Sequence, residues 1–151
     1  MRRADKEIKE GPEIEDILRC GQICHLGLND DGLTYVVPVN YGYSSGCLYV
    51  HSALEGRKID ILRRNNSVSF SIYIDDGLVQ SDVACNWGMK YRSVMGTGKA
   101  VLIEDRTKKE EALRIIMGHY AGPAATFEAA RMDSILIIKV RIDSLAGKKS
   151  G

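Results

Sequence analysis

The chain has 151 residues, 44% of them hydrophobic and 27% charged, and its 21 Lys+Arg against 20 Asp+Glu leave a formal net charge of +1. A single domain of this length buries roughly 68–70% of the surface its unfolded chain exposes, so residues 1–151 are read as one domain with a sizeable core. A pI of about 7.7 without a basic stripe speaks against nucleic acid as a partner. No apolar run reaches transmembrane length, and the charged run Met1–Glu7 is unlike a signal peptide, so the expected location is cytoplasmic.

Residues 1–11 are charged and read as loose or draped over a neighbouring element. Ile14, Ile17 and Leu18 recur at helical spacing over Pro12–Arg19, and Gly21 stands where a helix stops. Ile23–Leu28 reads as a strand, Asn29–Gly32 as a hairpin turn, Leu33–Tyr43 as a second strand, Ser44–Gly46 as a second turn and Cys47–Ser52 as a third strand. A helix over Gly56–Arg64 buries Ile59 and Leu62. Val68–Ile74 alternates strictly, the pattern of a half-buried strand. Asp75–Met89 reads as one long connection holding the only tryptophan, Trp87, and Arg92–Ile103 resumes as a strand. Thr107 and Glu110 form a candidate capping box for a helix with Leu113, Ile116, Met117 and Tyr120 on one face. Gly122-Pro123 breaks it, a short helix to Met132 follows, and Ser134–Ile142 closes as a strand.

Five or six strands with neighbours close in sequence predict a mainly β fold, an antiparallel barrel with peripheral helices. The two short turns exclude parallel crossovers. Four cysteines lie at 20, 24, 47 and 85. The Cys20–Cys24 spacing is not the C-x-x-C of zinc knuckles or thioredoxin-like motifs, and Cys24 and Cys47 fall in strands as small hydrophobes. Neither a metal site nor a structural disulfide is expected.

Candidate chemistry gathers at the third strand and the helix after it, His51-Ser52-Ala53-Leu54-Glu55-Gly56-Arg57-Lys58. Two cations in a first helical turn oppose the macrodipole by roughly 0.3–1 kcal/mol each. They are either solvated basic residues or the two arms of an anion site, for which phosphate is the usual occupant. Ser52 either caps the helix in a box with Glu55 or donates its hydroxyl to that anion. His51 either satisfies a backbone group at a strand end or acts at the site. Pro38, in Tyr35–Tyr41, marks an edge or a bulge, and backbone groups freed there, with the Asn40 amide, suit the polar edge of a flat ligand. Gly96 and Gly98 mark a barrel corner or a close approach of ligand or backbone. No nucleophile elbow, P-loop or dinucleotide fingerprint occurs.

The segments Val37–Tyr43, Leu48–Ala53 with Gly56-Arg57-Lys58, and Ala84–Val94 resemble the FMN-binding split-barrel family related to pyridoxamine 5′-phosphate oxidase. Within it they look like the 5-nitroimidazole-resistance (Nim) type proteins, a likeness that spans nearly the whole chain. The resemblance implies FMN at a homodimer interface and no nucleic-acid or membrane partner. The backbone of Val36, Val37, Pro38, Val39, Asn40 and Tyr41 would line the isoalloxazine, His51 and Ser52 would meet the ribityl-phosphate end, and Arg57 and Lys58 would grip the phosphate. Ser93 occupies a position where the oxidase has a glutamine facing the flavin. Trp87 and Tyr91 would complete the pocket wall from the partner chain. The oxidase's C-terminal substrate-binding arginine motif has no counterpart in Ile138–Ile142, so oxidation of pyridoxamine phosphate is not expected. A histidine near the flavin is tied to nitro reduction in the Nim branch, and His51 is its match. The expectation is therefore an FMN-dependent oxidoreductase of small planar acceptors such as nitroimidazoles and nitroaromatics. The alternatives are a flavin carrier without turnover, or the same barrel holding haem or a deazaflavin.

Overall fold

A computed structural model describes residues 4–122 and 132–151. A 3-10 turn (Ala4–Lys6) and strand β1 (Glu7–Ile8) lead into helix α1 (Gly11–Cys20). Strands β2 (Cys24–Asp30), β3 (Leu33–Val39), β4 (Gly42–Ser44) and β5 (Cys47–Ala53) precede helix α2 (Arg57–Arg64). Two long strands, β6 (Ser67–Val79) and β7 (Gly88–Ile103), are followed by helix α3 (Arg106–Tyr120) and strand β8 (Ile135–Ser150).

Every strand pair is antiparallel. The order is β3-β2-β6-β7-β8-β5-β4, with β1 beside β8. The two ends of that order, β3 and β4, are consecutive in the chain and joined only by Asn40 and Tyr41. A link so short forces the sheet to curl until its edges meet, which makes a barrel. The seam is closed only in part, because β4 pairs with β5 over three residues, Gly42–Ser44 against Cys47–Tyr49. Upstream, β3 pairs with β2 alone and the rest of β5 with β8 alone. The fold is a split barrel, mainly β with three α-helices among the described residues.

Local sequence explains the hairpins. Asp31 and Gly32 have φ of 53° and 93°, and Ser45 and Gly46 of 48° and 70°. Two successive positive values match the right-handed twist of the flanking strands. The alternating residues Leu26, Leu28, Leu48, Val50, Phe70, Ile72, Ile138 and Val140 fill the barrel, and Ile17, Leu18, Ile59 and Leu62 cover it from α1 and α2. Each fully buried side chain of this size contributes about 1.5–3 kcal/mol. Helix α3 lies outside, with Ala112 and Ile116 packed on Ile137. All four cysteines are free, and burial pushes the Cys24 thiol up to about 12. No helix among the described residues is long and apolar enough to cross a membrane.

Several expectations need correction. The strand read as Leu33–Tyr43 is interrupted at Asn40–Tyr41, where it changes partners. Its Pro38 sits on an edge strand, in register with His25, where its missing N–H costs no ladder bond. The connection read as Asp75–Met89 shrinks to residues 80–87, because β6 and β7 continue their ladder to Val79 and Gly88 past a bulge at Asp75–Gly77. The closing strand runs to Ser150, and Glu7–Ile8 pair with its end rather than hanging loose. Helix α3 is capped by Asp105, whose Oδ1 accepts from Lys108 N at 3.0 Å, so Thr107 lies inside the helix and caps nothing. The short helix expected after Pro123 lies outside the described residues up to Met132.

Gly96 and Gly98 mark a close approach of neighbouring backbone at an irregularity of the β7–β8 ladder. The β7–β8 register shifts between Thr97 and Gly98. A Cβ on Gly96 would stand 2.6 Å from Ser144 O and against the Phe70 ring, while one on Gly98 would meet Arg141 O. Gly96→Ala is expected to destabilise the fold by about 1–3 kcal/mol, the usual cost of overpacking, measured as a lower denaturant midpoint at unchanged m-value.

Candidate functional site

The open stretch of the seam lies between two of the sequence motifs, those on β3 and on β5 with α2. Residues 33–39 of β3 and 50–53 of β5 each keep one strand edge without a strand partner. Beside them lies an open groove of about 400 Å³, lined by Tyr35, His51, Ser52, Ala53 and the residues Glu55–Ile59. Alternation along β5 turns Ser52 inward, 8% exposed, and leaves His51 exposed on the other face. The groove therefore brings together four predicted residues: His51, Ser52, Arg57 and Lys58.

The N-cap of α2 is Gly56 at φ 122°, and no side chain caps the helix. The Ser52–Glu55 capping box does not form, which leaves the Ser52 hydroxyl outside the helix ladder. Gly56 O accepts from Ile59 N at 2.8 Å and Asp60 N at 3.1 Å, so the N–H groups of Arg57 and Lys58 are the ones left without an intrahelical acceptor. Lys58 is half-buried, and burial lowers its ammonium below the ordinary lysine range. It has no ion pair among the described residues. An anion placed here would relieve both penalties at once.

Arg57 is already engaged. Its Nε and Nη2 donate to Asp30 Oδ2 at 3.2 and 3.1 Å, and its guanidinium lies 4.7 Å from the Tyr35 ring centroid. Asp30 also accepts from Arg64 Nη2 on its other oxygen at 2.5 Å. Asp30 and Tyr35 were not singled out from the sequence. Asp30 reads there as a turn residue, and the only signal was an acid in the hairpin next to a helix bearing Arg57 and Arg64.

The other predicted residues do not line this groove. Val36 is 56% exposed and, with Pro38, faces outward on β3, whereas Val37 and Val39 face the core. Asn40 is exposed at the seam. Tyr41 is fully buried: its phenol donates to Leu18 O at 2.9 Å, and its N–H donates to the Tyr120 hydroxyl at 3.0 Å. That backbone donor is therefore taken. Ser93 is buried on β7, donating to Lys148 O at 3.3 Å. The Trp87 indole donates to Ser81 O at 2.5 Å, and Tyr91 stacks on Tyr73 at 5.7 Å. Neither aromatic lines the α2 groove of its own chain. A second recess, about 540 Å³, lies on the outer face of β3, β2, β6, β7 and β8, walled by Val36, Met95 and Leu145 over the small residues Gly27, Ser69 and Ser71.

The fold is thus a split barrel with a basic, uncapped helix start at its seam. A family signature described as pyridoxamine 5′-phosphate oxidase matches residues 10–149, and the chain belongs to that family. It is 36% identical, with a TM-score of 0.85, to a protein of Bacteroides thetaiotaomicron VPI-5482 provisionally named for 5-nitroimidazole antibiotic resistance, over 95% of this chain and 86% of that one. The fold also matches the flavocytochrome Anf3 of Azotobacter vinelandii (TM-score 0.86, 23% identity, 100% of this chain and 72% of that one). A third match is a FAD and heme binding protein of Mycobacterium smegmatis (TM-score 0.84, 18% identity, 96% and 73%). No curated protein matches the sequence.

Asp30→Asn is expected to tighten inorganic phosphate at the α2 groove by up to about fivefold, since an exposed ion pair of roughly 0.2–1 kcal/mol no longer competes for Arg57. Calorimetric titration measures it. Weaker binding in the variant would mean that Asp30 orients Arg57 rather than competing for it.

Proposed function

We propose that this chain is an FMN-dependent oxidoreductase, working as a homodimer, that reduces small planar acceptors such as nitroimidazoles and nitroaromatics. The observation that carries the reading is the α2 groove. An uncapped helix start, a half-buried lysine without an ion pair among the described residues and an arginine over the Tyr35 ring stand within one recess beside an unpaired strand edge. The 36% identity to a protein named for 5-nitroimidazole resistance supports the acceptor class.

In this reading the N–H groups of Arg57 and Lys58, their side chains and the Ser52 hydroxyl hold the cofactor's phosphate. The free edges of β3 and β5 offer backbone donors and acceptors to the polar rim of the ring. FMN supplies the electron transfer when bound; the protein orients it and excludes competing reactions. His51, exposed on β5 in the lining of the same groove, would hand a proton to the reduced acceptor. The apolar outer recess at Val36, Met95 and Leu145, with exposed Trp87 and half-buried Tyr91 beyond it, supports a second copy as the missing wall.

A visible spectrum of the purified protein tests the cofactor: a flavin spectrum is expected, and a haem Soret band would overturn the assignment. Arg57→Ala should weaken FMN by roughly 10- to 100-fold, from the 1.5–3 kcal/mol of a charged hydrogen bond, and unchanged affinity in Arg57→Ala/Lys58→Ala would remove the phosphate site.

His51→Ala should keep its flavin and lose at least about tenfold in anaerobic nitro reduction, the lower part of what general acid catalysis contributes. Normal turnover with a lower Tm would make His51 structural. Sedimentation of a monomer with stoichiometric flavin would exclude the dimer.

A further inference from the structure

We infer that the outer face of β7 and β8 beside α3 is a second binding site, for a phosphorylated small molecule with a flat apolar body, the chemistry of a nucleotide. The site shares no residue with the α2 groove and goes beyond the flavin reading. On this face the cross-strand partners are Lys99 with Arg141, Val101 with Lys139, and Ile103 with Ile137. Like charges directly opposite on paired strands destabilise a sheet. Here one such pair is followed, two residues along the same face, by a third cation. Lys108 adds a fourth from the first turn of α3, where the carboxylate of the N-cap, Asp105, accepts from the backbone N–H of Lys108.

The groove that these residues line together with Asn66 is about 640 Å³, and no carboxylate is among the described residues in its lining. That volume falls within the roughly 300–1,000 Å³ of small-molecule pockets. In a chain whose net charge is only +1, four cations lining one groove are a local concentration. What neutralises them is slight: Arg141 reaches Asp143 only at 3.9 Å, between two exposed groups. Lys99 donates to the Ser67 hydroxyl at 2.6 Å, and Lys139 lies 5.5 Å from the Tyr49 ring centroid. Both partners are neutral.

Val101 is 55% exposed between Lys99 and Ile103 on this face, so the cations surround an apolar floor. Clustered phosphates answer the cations, and a planar base answers Val101 and Ile103. A second copy of this chain is a poor occupant, because a two-fold contact would set the same cations against themselves. The alternation in Ile138-Lys139-Val140-Arg141-Ile142 is the sequence trace of the site: it puts both cations on the outer face and the three apolar residues inward.

The test is equilibrium dialysis of the full chain, as purified, against ATP and separately against inorganic tripolyphosphate. ATP is expected to saturate one site and to bind at least about tenfold more tightly than tripolyphosphate, the margin that burying part of a base on Val101 supplies. Lys139→Ala/Arg141→Ala should weaken ATP by about 100-fold or more, from two lost charged hydrogen bonds, while Arg57→Ala/Lys58→Ala leaves it unchanged. Should the double variant fail to fold, Lys108→Gln on the exposed start of α3 should still weaken ATP by about tenfold. Absence of saturable ATP binding, binding lost in Arg57→Ala/Lys58→Ala, or tripolyphosphate bound as tightly as ATP would each overturn the proposal.

Discussion

One strand that changes partners organises this protein. Leu33–Ser44 runs first along β2 and then, after Asn40 and Tyr41, along β5. Since β2 and β5 are far apart in the order of the sheet, the switch closes the barrel and leaves the closure incomplete. The incomplete part exposes backbone edges that a continuous sheet would consume. The buried Tyr41 holds the switch, tied through its hydroxyl to α1 and through its N–H to Tyr120 on α3. Removing either tie would leave a polar group unsatisfied inside the fold, at about 1–3 kcal/mol.

Electrostatics at the α2 groove follow from that seam. Helix α2 starts where β5 runs free, and Gly56 at φ 122° turns the chain sharply enough that no side chain reaches back to cap it. Two cations then stand at a helix start that disfavours them. The fold offsets one of them with Asp30, which also takes Arg64, and leaves the other half-buried. One cation of the groove is thus paired, and the other has no ion pair among the described residues.

The two basic grooves differ in how their charge is arranged. At α2 the cations belong to one helix turn and an acid from β2 stands opposite. On the outer face of β7 and β8 they come from three elements, β7, β8 and α3, with an apolar floor between them. The first suits a single phosphate at a helix start. The second suits a spread of charge over an apolar body.

Much of the architecture was legible locally. Period-two alternation located β6, segments bounded by turn signals located β2 and β5, helical spacing located α1 and α3, and Asn29–Gly32 and Ser44–Gly46 carried their turns in their own residues, because hairpin geometry depends on a few adjacent φ values. His51, Ser52, Arg57 and Lys58 were legible as a group because a strand end and a helix start place them within eight residues. What sequence could not supply were relations across the sheet. Whether Thr107 or Asp105 caps α3 depends on where the preceding strand ends. The length of β6, β7 and β8 depends on ladder partners that can extend a strand through residues of weak pattern. Asp30 became the counter-ion of Arg57 only when α2 packed against the β2–β3 hairpin, and Lys99, Lys108, Lys139 and Arg141 became one cluster only through register. The sequence by itself determined which segments are strands and helices and where the paired cations Arg57 and Lys58 lie, since those are properties of neighbouring residues. Tertiary structure decided where the barrel stays open and which charges face each other, since both depend on pairing between segments distant in the chain.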